Sequence, residues 1–128
     1  MRRFDDATPI YVQIAEEIRT QILSGELAEG ARLTSTTEYA TRYRINPATA
    51  NKAVALLVDE GLVVKRRGIG MFVADGALAD LRRSRRAAYT DDVLHPALDT
   101  GLALGLDDVE LRDAVVQYLE SHARKESQ

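Results

Sequence analysis

The 128-residue chain has no cysteine and no tryptophan, three prolines, two histidines and only 5% aromatic residues. Without cysteine there is neither a disulfide framework nor a thiolate metal site, and a cytoplasmic protein is the simplest expectation. No apolar run approaches the roughly 18 residues of a membrane span, and the opening "MRRFDDATPIYVQ" lacks the apolar core of a signal peptide. No membrane partner is therefore expected. His95 and His122 each stand alone, so neither a metal site nor a cofactor is expected. There is no paired-carboxylate site and no Ser/His/Asp or Cys/His set. The glycine-rich "RRGIGMF" has no helix after it that would make a phosphate loop. An enzyme is not expected.

What is present is an ordinary globular composition, 45% hydrophobic and 29% charged, enough for one domain or a small domain with an appendage. The net charge of −3 argues against a nucleic-acid partner until it is mapped. Residues 1–76 carry ten basic and ten acidic side chains, and residues 77–128 carry seven and ten, which supplies the whole −3. Within 32–73, seven basic residues face three acidic ones, a local +4. A local positive field is what a DNA-binding face requires.

Helical periodicity starts at "PIYVQIAEEIRTQILS", residues 9–24. Thr8 is the expected cap, Pro9 suits the first turn, and Ile14, Ile18 and Ile22 recur every four residues with Tyr11 beside them. Gly25 ends this helix, and "GELAEGARL" reads as a turn-rich connector. Ser35 followed by Glu38 is a capping box that opens a second helix of about two turns. Asn46 is a good N-cap for a third helix with Pro47 at its first position, running to Glu60 and stopping at Gly61. Ala50, Val54, Leu57 and Val58 make its apolar side, while Ala48 and Lys52 point away from them and Thr49 and Asn51 flank that polar face. Leu62 to Lys65 and Met71 to Ala74 read as two short strands joined by "RRGIG", with Arg66 and Arg67 at the hairpin tip beside Gly68. Such a pair is marginal alone and must lean on the helices. Helix, helix, helix and hairpin, in that order, is the winged helix-turn-helix plan. The fold class expected is mainly α with a small β-hairpin.

In that plan the second helix of the pair enters the major groove and its first residues meet base edges. Asn51 can pair bidentately with adenine, Thr49 can reach a phosphate or a thymine methyl, and Lys52 a phosphate or guanine. Ala48 is small enough to let the backbone approach, and the helix N-terminus attracts phosphate. Arg66 and Arg67 on a hairpin tip suit the backbone or a narrow minor groove. Taken singly, each feature also reads as a solvated helix face or a solubilising turn. Together they favour double-stranded DNA.

The blocks "PIYVQIAEEIRTQILSGELAEGARLTS", "INPATANKAV" and "DEGLVVKRRGIGMFVA" resemble the DNA-binding domain of the GntR family of bacterial transcription regulators, over about residues 8–74. Asn46-Pro47-x-Thr49, followed by Lys52-Ala53 and a short helical tail, resembles the YtrA-type subfamily. The resemblance implies a homodimeric repressor on an operator, with the C-terminal helices as dimerisation arm. Carried over residue by residue, it places DNA contacts at Ser35 and Thr37, at Asn46, Ala48, Thr49, Asn51 and Lys52, and at Arg67 and Gly68. The family commonly has Pro before the second helix's cap and Arg two residues after it, where this chain has Thr34 and Thr37. It also commonly has Pro before Gly30, where this chain has Glu29.

Residues 77–128 form the tail. "ALADLRRSRRAAY" is helical and rich in arginine, Leu94, Leu98 and Leu102 share helical spacing, and Leu111, Val115 and Leu119 form a further stripe. Asp107 with Glu110 starts the last helix. Pro96 falls either in the first turn of a new helix after Asp92 or at a kink in a longer one. Two or three helices in this length cannot enclose a drug-sized pocket and also cover their apolar faces. A second copy is the economical cover, through an isologous two-fold interface that would read an inverted-repeat operator. The alternative is that the tail folds back on the winged domain. Arg82 to Arg86 is either a solvated face or an additional phosphate contact, which would add to the salt dependence of binding.

The division expected is therefore 1–76 for DNA binding and 77–128 for dimerisation. The competing function is a winged-helix module that binds protein. A small-molecule effector is a further possible partner, between winged domain and tail, but no residue marks a pocket for it. The direction of regulation, repression, follows from the resemblance and from no single residue.

Overall fold

The computed structural model describes residues 7–126. The winged part consists of α1 (Ile10–Ser24), α2 (Thr36–Tyr43), α3 (Pro47–Asp59), β1 (Val63–Arg66) and β2 (Gly70–Val73), followed by α4 (Ala77–Tyr89). Beyond it come a π-helical segment (Thr90–Leu94), α5 (His95–Ala103) and α6 (Asp108–Glu126). Mainly α with one antiparallel hairpin is the class expected from the periodicities. The chain forms two compact units, one ending at Ser84 and the other beginning at Arg85.

In the first unit the isoleucine stripe of α1 is almost wholly out of water, with Ile14, Ile18 and Ile22 packed with Ala53, Val54 and Leu57 of α3. Leu62, Val63 and Val73 close the core from the hairpin, and Ala77 and Leu81 from the first turns of α4. Removing these apolar surfaces from water is the main force holding α3 in place. Tyr39 and Tyr43, stacked with centroids 4.6 Å apart, donate from their hydroxyls to the Glu17 carboxylate at 2.9 and 3.0 Å, tying α2 to α1. Burial first and the Glu17 carboxylate second push both hydroxyls above the ordinary tyrosine range, so both remain donors at neutral pH. Arg19 reaches from α1 to Glu60 at the end of α3, its Nε donating at 3.0 Å.

Several details differ from expectation. Thr8 does not cap α1. Pro9 occupies that position with no side-chain cap, and the buried Gln13 amide donates to the Thr8 carbonyl at 2.7 Å. Val58 is 36% exposed, because the buried side of α3 is rotated toward Ala53. The connector before α2 is not merely a turn. Leu33 N–H donates to Met71 O at 2.8 Å, Val73 N–H to Ala31 O at 2.9 Å, and Arg32 pairs with Phe72 in an isolated antiparallel bridge, so this segment runs alongside β2. The hairpin register puts Arg66 opposite Gly70, leaving Arg67, Gly68 and Ile69 as the loop. Arg66 thus lies at the end of a strand, one residue short of the tip.

Glu29, the acid found where the resemblance leads one to expect proline, has a position of its own. Its carboxylate accepts from the N–H groups of Gly76 at 3.0 Å and Leu78 at 3.4 Å. Those are free donors at the start of α4, which Glu29 caps from a distance in sequence.

In the second unit Pro96 sits within a longer helical run. Tyr89, Leu94 and His95 all have right-handed helical dihedrals, and the His95 N–H donates to Thr90 O, five residues back. The wider turn accommodates a proline that lacks an N–H and would crowd the carbonyl four residues before it. Asp107 accepts from the Glu110 N–H at 2.8 Å and starts α6 as expected. α5 and α6 meet at Gly101, which is buried. A Cβ there would lie 2.7 Å from Leu111 Cδ2. Gly101→Val should cost about 1–3 kcal/mol through overpacking, with no helix-propensity gain comparable to alanine's. The check is the urea midpoint of the full chain; one at or above the wild-type value would show that the crossing is not tight.

Candidate nucleic-acid interface

The polar end of α3 is built by its cap. The Asn46 side chain accepts from the Ala48 N–H at 2.9 Å and Pro47 takes the first helical position, so the helix starts abruptly. The bond uses the acceptor end of the Asn46 carboxamide and leaves its NH2 donors for a ligand. Ala48, Asn51 and Lys52 are exposed and Thr49 is half-buried. Lys52 does not simply extend into solvent: its Nζ lies over the Tyr11 ring, 4.3 Å from the centroid. A cation–π contact at such a site is worth about 0.5–1 kcal/mol. It holds the ammonium toward α1 in the free protein. Tyr11 was legible only as a residue on the first helix, because a contact spanning 41 positions leaves no local signal.

Ser35 caps α2, its Oγ accepting from the Glu38 N–H at 3.1 Å, which leaves the hydroxyl hydrogen to donate elsewhere. Thr37 is exposed in the first turn of that helix. On the wing, Arg67 and Gly68 are exposed in the loop, with Gly68 at φ +76°, a value that suits glycine. Ile69 beside them is 58% exposed, an apolar tip residue that the basic reading of the turn overlooked. The Arg66 guanidinium is turned back over the Phe72 ring, 4.8 Å from its centroid.

Between α3, the residues preceding α2 and the hairpin lies an open cleft of about 600 Å³. It brings together Ser35, Asn51, Arg66 and Gly68, all named from the sequence, with Arg32 and Lys65, which were counted only as charge. Asn46, Ala48, Thr49, Lys52, Thr37 and Arg67 lie outside its lining. Arg32, Lys65 and Arg66 against Asp59 leave the cleft net positive. Among the described residues, no group of three or more His, Asp or Glu side chains is placed to hold a metal ion. No described helix is long and apolar enough to cross a membrane.

Residues 10–73, half of the chain, match the family of bacterial regulatory proteins designated gntR. The chain belongs to the GntR family. The HTH-type transcriptional repressor NagR of Bacillus subtilis is 34% identical over 96 residues, covering 75% of this chain and 39% of NagR. The HTH-type transcriptional repressor YtrA of the same organism is 30% identical over 97 residues, covering 76% of this chain and 75% of YtrA. The chain thus spans well under half of NagR but most of YtrA. A solved GntR family transcriptional regulator from Listeria monocytogenes has a TM-score of 0.70 at 28% identity, covering 89% of this chain and 98% of that one. Its likeness extends past the winged domain into the helical tail of this GntR-family chain.

The residues expected to dimerise fall into two groups. Leu94, Leu98 and Leu111 are half-buried within their own chain, and Leu111 is the side chain against Gly101. Leu102, Val115 and Leu119 are 54%, 43% and 59% exposed. Tyr118, at 71%, and Leu104, at 77%, are apolar surface that the periodic stripes did not include.

Proposed function

We propose that this GntR-family chain is a transcriptional repressor that binds an inverted-repeat operator as a homodimer, acting in the cytoplasm. The start of α3 lies in the major groove and the wing on the backbone or in the adjacent minor groove. Residues 1–76 bind DNA and 77–128 dimerise. The observation that carries this reading is the cleft. In a duplex the major and minor grooves are separated by a sugar–phosphate strand. A helix in one groove and a wing in the next need a gap between them to admit it. Here the gap is present, net positive, and bordered by Asn51 on one side and Gly68 on the other. A module built to bind protein has no need of a polar helix start and a basic hairpin on opposite sides of such a gap. NagR and YtrA, both named repressors, support the direction of regulation. A small-molecule effector would act by changing the spacing of the two half-site readers.

The deciding experiment is a genomic-fragment selection with the purified full chain, followed by footprinting at about 150 mM salt. A protected inverted repeat is the expected result. Asn51→Ala should remove about 1–3 kcal/mol of discrimination at one base pair of each half-site. Arg67→Ala should weaken binding evenly across sequences and make the salt dependence shallower by about one phosphate's worth. No enrichment above a random pool would overturn the DNA reading.

A further inference from the structure

We infer that Arg32 is a further contact to the DNA backbone, a guanidinium set into the gap between recognition helix and wing by the absence of a side chain at Gly70. The inference rests on the DNA reading above and assigns it a residue outside both the recognition helix and the wing loop.

The backbone of 30–33 is fixed by three hydrogen bonds to β2: Gly30 N–H to Val73 O at 2.9 Å, Val73 N–H to Ala31 O at 2.9 Å, and Leu33 N–H to Met71 O at 2.8 Å. Side chains alternate along such a segment. Leu33 is 5% exposed and belongs to the core, so Arg32 before it takes the opposite, open face. There it runs along the wing at Gly70. A Cβ built on Gly70 would stand 2.9 Å from Arg32 Nε and 3.3 Å from Nη2. Any side chain at 70 would contest the space that the guanidinium occupies. Gly70 also has φ +146°, a conformation that other residues rarely adopt. The strand partner of Gly70 is Arg66, whose own guanidinium is drawn away over Phe72.

Arg32 therefore lines the cleft with Asn51, Lys65 and Arg66. Asp59 lines it too, yet among the described residues no carboxylate is in an ion pair with Arg32. An unneutralised planar guanidinium on the wall of this gap suits a phosphate, whose oxygens match its paired N–H donors. Held on a segment bonded to β2 by its main chain, it is pre-placed before DNA arrives. The contact carries no base information, so it should add affinity and salt dependence without altering sequence preference.

The test is binding of the full chain to a fluorescein-labelled duplex of mixed sequence, followed by anisotropy between about 50 and 200 mM salt. Non-specific binding suffices, so no operator is needed. Arg32→Gln should make the slope of log affinity against log salt shallower by about 0.9 for each bound protomer. Arg32→Lys, which keeps the charge, should restore the slope. The urea midpoint of Arg32→Gln should match wild type, because the strand bonds are all main-chain. If wild type binds, Arg67→Ala is shallower and Arg32→Gln keeps the full slope, Arg32 is no phosphate contact and the DNA reading stands. If wild type does not bind even at the lowest salt, the DNA reading fails and takes this inference with it.

Discussion

Leu57→Ala should destabilise the winged domain by about 2–5 kcal/mol, a large part of what holds a domain of this size folded. Leu57 is completely buried and sits in the one cluster shared by α1, α3, the hairpin and the first turns of α4. Truncating it removes apolar contact and leaves a void lined by groups that are themselves fixed by other elements, so the site cannot simply collapse. In urea the midpoint should fall by about 1 M or more with the slope unchanged. Val58→Ala, on the next residue of the same helix, provides the control. At 36% exposure Val58 loses little on truncation, and the change should be within about 0.5 kcal/mol. A smaller cost for Leu57→Ala than for Val58→Ala would mean that α3 is rotated from the position described. The consequence reaches function, because the same rotation sets which side of α3 presents Asn51 and Lys52. In Leu57→Ala, DNA affinity should fall only as far as the folded fraction does.

That pair of residues also shows what sequence reasoning could and could not read. Where a signal is local, it was legible. Ser35 with Glu38, Asn46 with Pro47, and Asp107 with Glu110 start their helices as their spacing implies, since a cap is a bond between neighbours in the chain. The polar start of α3 and the basic turn were legible for the same reason. Val58 was misjudged because helical spacing alone allows the apolar side to be centred on either flank, and the packing of α1 against Ala53 decides it. The pairing of Lys65 with Met71 is the one the sequence implies, but the loop is three residues rather than five, because Arg66 and Gly70 add one more pair at the hairpin end. Arg32 over Gly70, Lys52 over Tyr11 and Glu29 at the start of α4 are contacts between residues 38 to 49 positions apart. None of them leaves a periodicity to find. Pro96 stayed ambiguous because both outcomes satisfy its missing N–H, and only the preceding π turn distinguishes them.

Val115→Glu together with Leu119→Glu should convert the protein to a monomer and cost a hundredfold or more in affinity for an inverted repeat. Both positions lie on α6, one turn apart, and both are exposed in the single chain. Neither change should therefore harm the fold of the protomer, and glutamate is a good helix former. The second unit also exposes Leu102, Leu104, Val109, Val116 and Tyr118. So much apolar surface on so few residues is the mark of a face that something covers. Under the proposed two-fold arrangement each substitution appears twice, and the introduced carboxylates, like-charged across the two-fold, would have to leave water together. Sedimentation should show a single chain at micromolar concentration, with helical content unchanged by circular dichroism. On DNA, losing the tether between two half-site readers removes an effective concentration worth about 10²–10⁴ in affinity. Binding to an isolated half-site should be unaffected, since each protomer keeps its own α3, wing and cleft. A dimer that survives both substitutions would place the interface elsewhere, with the bordering leucines at 94 and 98 the next positions to change. A monomer that keeps full affinity for the inverted repeat would mean that the two-fold symmetry of the operator is read without any tether, by two chains binding independently.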